Sequence, residues 1–238
     1  MNSQIQVTPE GIQTMFDGLA PRYDLFNRLT SLGQDKRWRS EALGPLRPGM
    51  RVLDLGCGTG DLAFEALKKV GPSGEVTGLD FSPNMLAFAG QRYKKSGLNG
   101  SHKIRFILKK AEELPIESSA YDAVVSGFVL RNLYENIDTI LAGVYRSLKD
   151  GGLISFLDIT EPASRKLGAL WRFYMNTLVA FYGKILFGKK YPLFYLTQSA
   201  RRFPGPADFM KKLERAGFRQ ITARSFMLGI ITLYQAVR

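Results

Sequence analysis

A chain of 238 residues that is 45% hydrophobic and 23% charged has the composition of one folded unit with a sizeable core, which excludes a disordered or low-complexity protein. Its single cysteine, Cys57, excludes an internal disulfide and agrees with a reducing compartment, so the cytosol is the expected location. A formal net charge of +12 favours an anionic partner surface, phospholipid or nucleic acid.

The first residues, MNSQIQVTPE, have neither a basic start nor an apolar core, so no signal peptide is expected there. Thr8-Pro9-Glu10 reads as a helix start, and Ile12, Met15, Phe16 and Leu19 share one face of the helix that follows. Ala20 to Asp24 should break it. Leu25, Phe26, Leu29 and Leu32 then predict a second short helix, and Trp38 to Leu43 a third, stopped by Gly44-Pro45 and Pro48-Gly49. Residues 1–50 are therefore expected to form a helical cap.

Arg51 to Leu62, RVLDLGCGTGDL, is the most informative stretch. Val52, Leu53 and Leu55 make a buried strand, and Gly56, Gly58 and Gly60 let the backbone turn sharply against a ligand before a helix over 61–70. A dinucleotide fingerprint would want glycine where Asp61 stands, and a carboxylate there would face the phosphates. S-adenosylmethionine has no phosphate, and its cationic end would welcome Asp54 at the strand tip. The next strand, 75–80, ends in Asp80, whose carboxylate can accept both hydroxyls of a ribose. Thr59 belongs to the same loop. Cys57 has no base near it in sequence, the only histidine being His102, and reads as a small loop filler; no metal ligand set is expected.

Downstream, helix 83–96, strand 103–108, strand 121–128, helix 136–148 and strand 153–159 continue the alternation that builds a parallel sheet with crossover helices. Lys149-Asp150-Gly151-Gly152 should end the second of these helices. Residues 161–206 are an insertion, followed by a helix over 207–216 and two closing strands, 219–226 and 229–237. Within the insertion Leu167, Leu170, Trp171, Tyr174, Leu178, Phe181 and Ile185 recur at helical spacing, and Met175, Val179, Tyr182 and Leu186 widen that face. Arg165, Lys166, Arg172, Lys184, Lys189 and Lys190 edge it with positive charge. Arg172, Asn176 and Lys184 interrupt the apolar tract, so it is expected to lie on a membrane surface or cover the sheet and not to span a bilayer.

Four stretches resemble the class I S-adenosylmethionine methyltransferases, and within them the menaquinone and ubiquinone biosynthesis C-methyltransferases: FDGLAPRYDLFNRLTSLGQDKRW (Phe16–Trp38), LDLGCGTGDL, GFVLRN (Gly127–Asn132) and RSLKDGGLISFLDIT (Arg146–Thr160). The resemblance covers nearly the full length. It implies one α/β domain over 1–238: the cap at 1–50, a Rossmann-like core at 51–160, the lid at 161–206, and the final helix and strand pair at 207–238. The expected sheet has seven mostly parallel strands with helices on both faces. The implied activity is methylation of a ring carbon of a polyprenyl quinol with S-adenosylmethionine, demethylmenaquinol to menaquinol being the favoured case. Arg131 and Asn132 would hold or polarise the ring hydroxyl, with Tyr23 and Asp24 as partners from the cap. Asp54, Gly56, Gly58, Thr59, Gly60, Asp80, Lys110, Ala111 and Gly127 would hold the cofactor. The chain departs from the family pattern at Asp35, Lys110, Val129, Asp158 and Thr160. Expected partners are the quinol and an anionic membrane, bound peripherally, with room for a homodimer; the lack of an aromatic-rich RNA motif speaks against nucleic acid. Another small-molecule or phospholipid methyltransferase, or a non-catalytic cofactor-binding subunit, stays open on the residues alone.

Overall fold

A computed structural model describes residues 16–98, 100–188 and 195–238. The helix start at Thr8-Pro9-Glu10 with Ile12 and Met15, and the lid lysines Lys189 and Lys190, lie outside these residues. The strands are β1 (Arg51–Leu55), β2 (Glu75–Asp80), β3 (Lys103–Leu108), β4 (Tyr121–Gly127), β5 (Leu148–Ile159), β6 (Arg219–Phe226) and β7 (Ile231–Val237). They form one sheet in the order β3-β2-β1-β4-β5-β7-β6, with β7 antiparallel to both its neighbours and the other pairs parallel. Strand order reverses between β1 and β4, and a ligand crevice forms at the carboxyl ends of strands at such a switch.

The helices are α1 (Tyr23–Thr30), α2 (Asp35–Ala42), α3 (Asp61–Val70), α4 (Pro83–Lys95), α5 (Ile137–Ser147), α6 (Arg165–Tyr174), α7 (Ala180–Phe187), α8 (Tyr195–Arg202) and α9 (Pro206–Arg215). Because side chains alternate along a strand, β1 is apolar toward both layers. Leu53 and Leu55 pack with Val124, Ile140, Leu141 and Phe209 under α5 and α9. On the other face Val52, Val76 and Val125 meet Leu62, Leu67 and Val70 of α3. Trp38 of the cap packs with Leu157, Ile231 and Leu233, and Ser155 donates to the Ala42 carbonyl at 2.6 Å, which seats α2 on the sheet.

Three expectations needed correction. The break in the cap is a single turn at Ala20–Arg22, so Tyr23 and Asp24 lie in the first turn of α1 and not in the break. The fifth strand starts at Leu148, which pairs with Tyr121; the Lys149 to Gly152 turn is a bulge after which pairing resumes at Ala123 and Leu153. In the lid, Met175–Val179 form a π-turn between α6 and α7. The wider turn rotates the downstream face, so a stripe drawn at uniform helical spacing is divided. Trp171, Met175 and Val179 pack against Phe26, while Leu170, Leu178, Phe181 and Ile185 face outward. Arg172 is tied to Glu161, leaving Arg165, Lys166 and Lys184 as the exposed described cations of that edge. The lid and cap are joined where the Tyr174 hydroxyl donates to the Thr30 carbonyl at 2.8 Å and Arg22 to that of Leu186 at 2.7 Å.

Candidate active site

The glycine loop leaves β1 because the Gly56 and Cys57 amides both donate to the Leu79 carbonyl, at 2.8 and 2.9 Å. It then closes around Asp80, whose carboxylate accepts from the Gly58 amide at 2.8 Å and the Ser82 amide at 2.9 Å. Gly56 sits at φ 71°, and a Cβ there would lie 2.5 Å from a Val129 methyl, so no other residue fits under the loop after β4. Alternation places Asp54 on the α3 side of β1. Its carboxylate is 1% exposed, neither oxygen has a hydrogen-bond partner, and burial, reinforced by the charge of Asp80, pushes its pKa up to about 8. Burial also raises the Asp80 carboxyl and lifts the Cys57 thiol well above its usual range; the Cys57 sulfur fills the space over Gly78.

Gly56, Gly58, Asp80, Lys110 and Ala111 line a cavity of about 180 Å³ at the switch point, together with Tyr23, Arg131 and Asn132. Asp54, Thr59, Gly60 and Gly127 do not line it; a Cβ added at Gly127 would meet only the Leu62 side chain, at 3.5 Å. Lys110 is exposed, its amide held by the Glu113 carboxylate at 2.9 Å, while Ala111 is buried.

Asp24, expected beside the substrate, lines neither this cavity nor its neighbour, because its carboxylate is taken: Oδ1 accepts from the Thr59 hydroxyl at 2.6 Å and Oδ2 from Arg92 at 2.7 Å. Arg92 also donates to Asp61 at 2.6 Å, Arg39 bridges Asp61 and Asp35, and Arg28 completes the chain on Asp35 at 2.7 Å. These charges bind the cap to the glycine loop. Asp35, 1% exposed, is a hub of that network.

A second, apolar cavity of about 400 Å³ lies between cap, lid and sheet. It shares Phe16, Tyr23, Phe128, Arg131 and Tyr195 with the first, so these side chains stand where the two meet. Arg131 is buried and paired with Asp158 at 2.6 Å; the same carboxylate also accepts the Arg131 amide at 3.0 Å, and the Arg131 Nε has no partner. Asn132 accepts from the Tyr195 hydroxyl at 3.1 Å. Burial raises the Tyr23 hydroxyl above its usual range and pushes Tyr195 up to about 12, with Arg131 opposing both, so both stay neutral donors at ordinary pH. Sequence reading missed Tyr195, Phe128 and Arg92. Phe128 carries one structural signal, a φ of 66° that no aromatic residue adopts without strain.

S-adenosylmethionine fits these residues. The glycine loop leaves open space above Gly58, Asp80 presents oriented acceptors at the end of β2, and the buried carboxyl of Asp54 behind the loop, without a hydrogen bond of its own, is a group whose ionisation a nearby cation would favour. Residues 4–238 match the ubiE/COQ5 methyltransferase family. The chain is 34% identical over 227 residues to the ubiquinone/menaquinone biosynthesis C-methyltransferase UbiE of Rhizobium leguminosarum, covering 94% of this chain and 87% of that one. It is 32% identical over 236 residues to the demethylmenaquinone methyltransferase of Bacillus cytotoxicus, covering 98% of each. A crystal structure of an S-adenosylmethionine-dependent methyltransferase from Aquifex aeolicus shares the fold, with a TM-score of 0.63 at 20% identity over 94% of this chain and 97% of that one. With the match spanning cap, core and lid, the chain belongs to the ubiE/COQ5 methyltransferase family and is an S-adenosylmethionine-dependent methyltransferase of quinone biosynthesis.

Proposed function

We propose that this enzyme methylates a ring carbon of a reduced, prenylated quinone, with demethylmenaquinol as the preferred substrate. The observation that carries the reading is the apolar cavity of about 400 Å³ that meets the cofactor cavity at Tyr23, Arg131 and Tyr195, since a prenylated ring needs an apolar berth ending at polar groups. The relatives' names agree with it. When bound, S-adenosylmethionine supplies an electrophilic methyl group. The chain's part is to make the ring carbon a nucleophile and aim it. A quinol hydroxyl resembles that of tyrosine, with a pKa of about 10. Release of its proton to solvent pushes electron density onto the neighbouring carbon, which takes the methyl group as the sulfur–carbon bond breaks and then gives up its ring proton to solvent. Arg131, always charged and held rigid by Asp158, stabilises the oxygen anion; it is no base. Asn132, fixed by Tyr195, and Tyr23 orient the same oxygen.

No helix among the described residues is long and apolar enough to cross a membrane, and a prenylated quinol dissolves in bilayers, so the enzyme is proposed to work in the cytoplasm as a peripheral membrane protein. The test is methyl transfer from labelled S-adenosylmethionine to demethylmenaquinol, phosphatidylethanolamine and RNA in parallel. Label in the lipid or the RNA, with none in the quinol, would overturn the assignment.

A further inference from the structure

The apolar cavity has an outer rim built from separate segments. Leu32 after α1, Leu170 on α6, and Met227 and Leu228 between β6 and β7 all line the cavity while remaining 76, 65, 45 and 75% exposed. Holding four large apolar side chains in water at one opening is unfavourable, so another environment is implied for them. Leu32, Met227 and Leu228 also sit at φ of 52, 47 and 57°, in the left-handed region that side chains adopt at a steric cost. The chain thus strains two loops while holding apolar side chains out at one opening. Cations flank the rim: Lys36 and Arg37 near Leu32, Arg165 and Lys166 before Leu170. All are exposed, and among the described residues none has a carboxylate partner.

We infer that this rim docks into the surface of a bilayer bearing anionic headgroups, so that the cavity opens into the membrane and takes its substrate laterally from the lipid. Exposed apolar side chains with lysine and arginine on the neighbouring turns of two of the rim segments match the layering of such a surface, acyl boundary inside and headgroup charge outside. A second copy of this chain would bring the same unpaired cations against one another, at a net charge of +12 on each chain. A protein partner seated on the rim would close the opening through which an insoluble ligand must pass. What passes through the opening rests on the quinol reading above; the docking itself does not.

Cys57 is the only cysteine and is buried, so a cysteine introduced on the surface takes a label selectively. Leu170→Cys carrying an environment-sensitive fluorophore should shift to shorter wavelength on phosphatidylcholine vesicles that contain phosphatidylglycerol, and less on phosphatidylcholine alone. The same label at Lys95→Cys, at the far end of α4, should not shift. Replacing Lys36, Arg37, Arg165 and Lys166 together with glutamine should weaken vesicle binding by roughly tenfold or more. Turnover of a short-tailed quinol should be unchanged in that variant. Leu32→Ser with Leu228→Ser should weaken vesicle binding without altering its salt dependence. An unmoved label at 170, an equal shift at 95, or wild-type vesicle affinity in the glutamine variant would overturn the docking. If docking held while no quinol of any tail length were methylated, the substrate reading alone would fall.

Discussion

Asp54 is a buried carboxyl with no partner at full hydrogen-bond distance and only the Ala63 amide nearby to favour its charged form, and this has a measurable sign. A free aspartate loses its proton near 3.8, whereas in the fold Asp54 keeps it to about 8. Between those values the native state binds a proton that the unfolded chain has lost, so this group subtracts stability as pH rises and stops doing so above about 8. The slope approaches about 1.4 kcal/mol per pH unit. A cofactor cation held beside Asp54 would offset that cost, so the gain in Tm on adding S-adenosylmethionine should be larger near pH 8 than near pH 6, and Asp54→Asn should flatten the difference. Thermal unfolding across pH, with and without cofactor, measures it; an equal gain at both ends would separate Asp54 from the cofactor. Arg131 needs a different experiment. Arg131→Ala strands the buried Asp158 carboxylate and should cost about 3–5 kcal/mol of stability, which obscures any catalytic effect. Arg131→Lys keeps the charge and loses the planar fork. It should bind S-adenosylmethionine with nearly unchanged affinity by calorimetry while turnover falls about tenfold or more, because its loss is felt where charge develops on the ring oxygen. Wild-type turnover in that variant would remove Arg131 from the chemistry.

Between elements, α1 and α4 are tied to the glycine loop through Asp24, Arg92 and Thr59, which couples the cap to the loop proposed to hold the cofactor. Its pairs are partly exposed, Arg92 and Asp24 having 38 and 34% of their side-chain surface in water, so each adds at most about 1 kcal/mol. The expected effect of Arg92→Met is therefore a small loss of global stability, with faster hydrogen exchange across residues 23–30 and a KM for S-adenosylmethionine raised about threefold to tenfold. Unchanged exchange in α1 would show that the cap is held by Trp38 and the lid contacts instead. The elements were largely legible from the sequence: β1, α3, β2 and β3 lie at the boundaries that apolar runs, glycines and the Asp80 strand end had marked. The lid's helical character was legible too, but not the outward turn of its second half at Phe181 and Ile185, because a π-turn leaves no mark in residue spacing and shifts the register of all that follows.

For the whole molecule, the joined cavities and the lid predict that tail length decides how the enzyme responds to its surroundings. Turnover of a long-tailed quinol in vesicles should rise with anionic lipid and fall as salt screens the surface charge, while a short-tailed quinol in solution should be turned over at a rate that neither condition changes. Initial rates on the two substrates across a salt series test this, and equal salt sensitivity would place the charge effect inside the site.

The sequence alone determined the alternation of strands and helices, the glycine loop and the carboxylate at the end of β2, since each is written in residues that are neighbours along the chain. The tertiary structure alone decided that Arg131 meets Asp158, that Tyr195 reaches Asn132 and that Arg92 holds Asp24, contacts spanning 27, 63 and 68 positions. No local pattern encodes such pairs. They exist because the sheet order brings β4 beside β5 and the cap and lid fold over the same strand ends, and only that packing makes two cavities meet at one arginine.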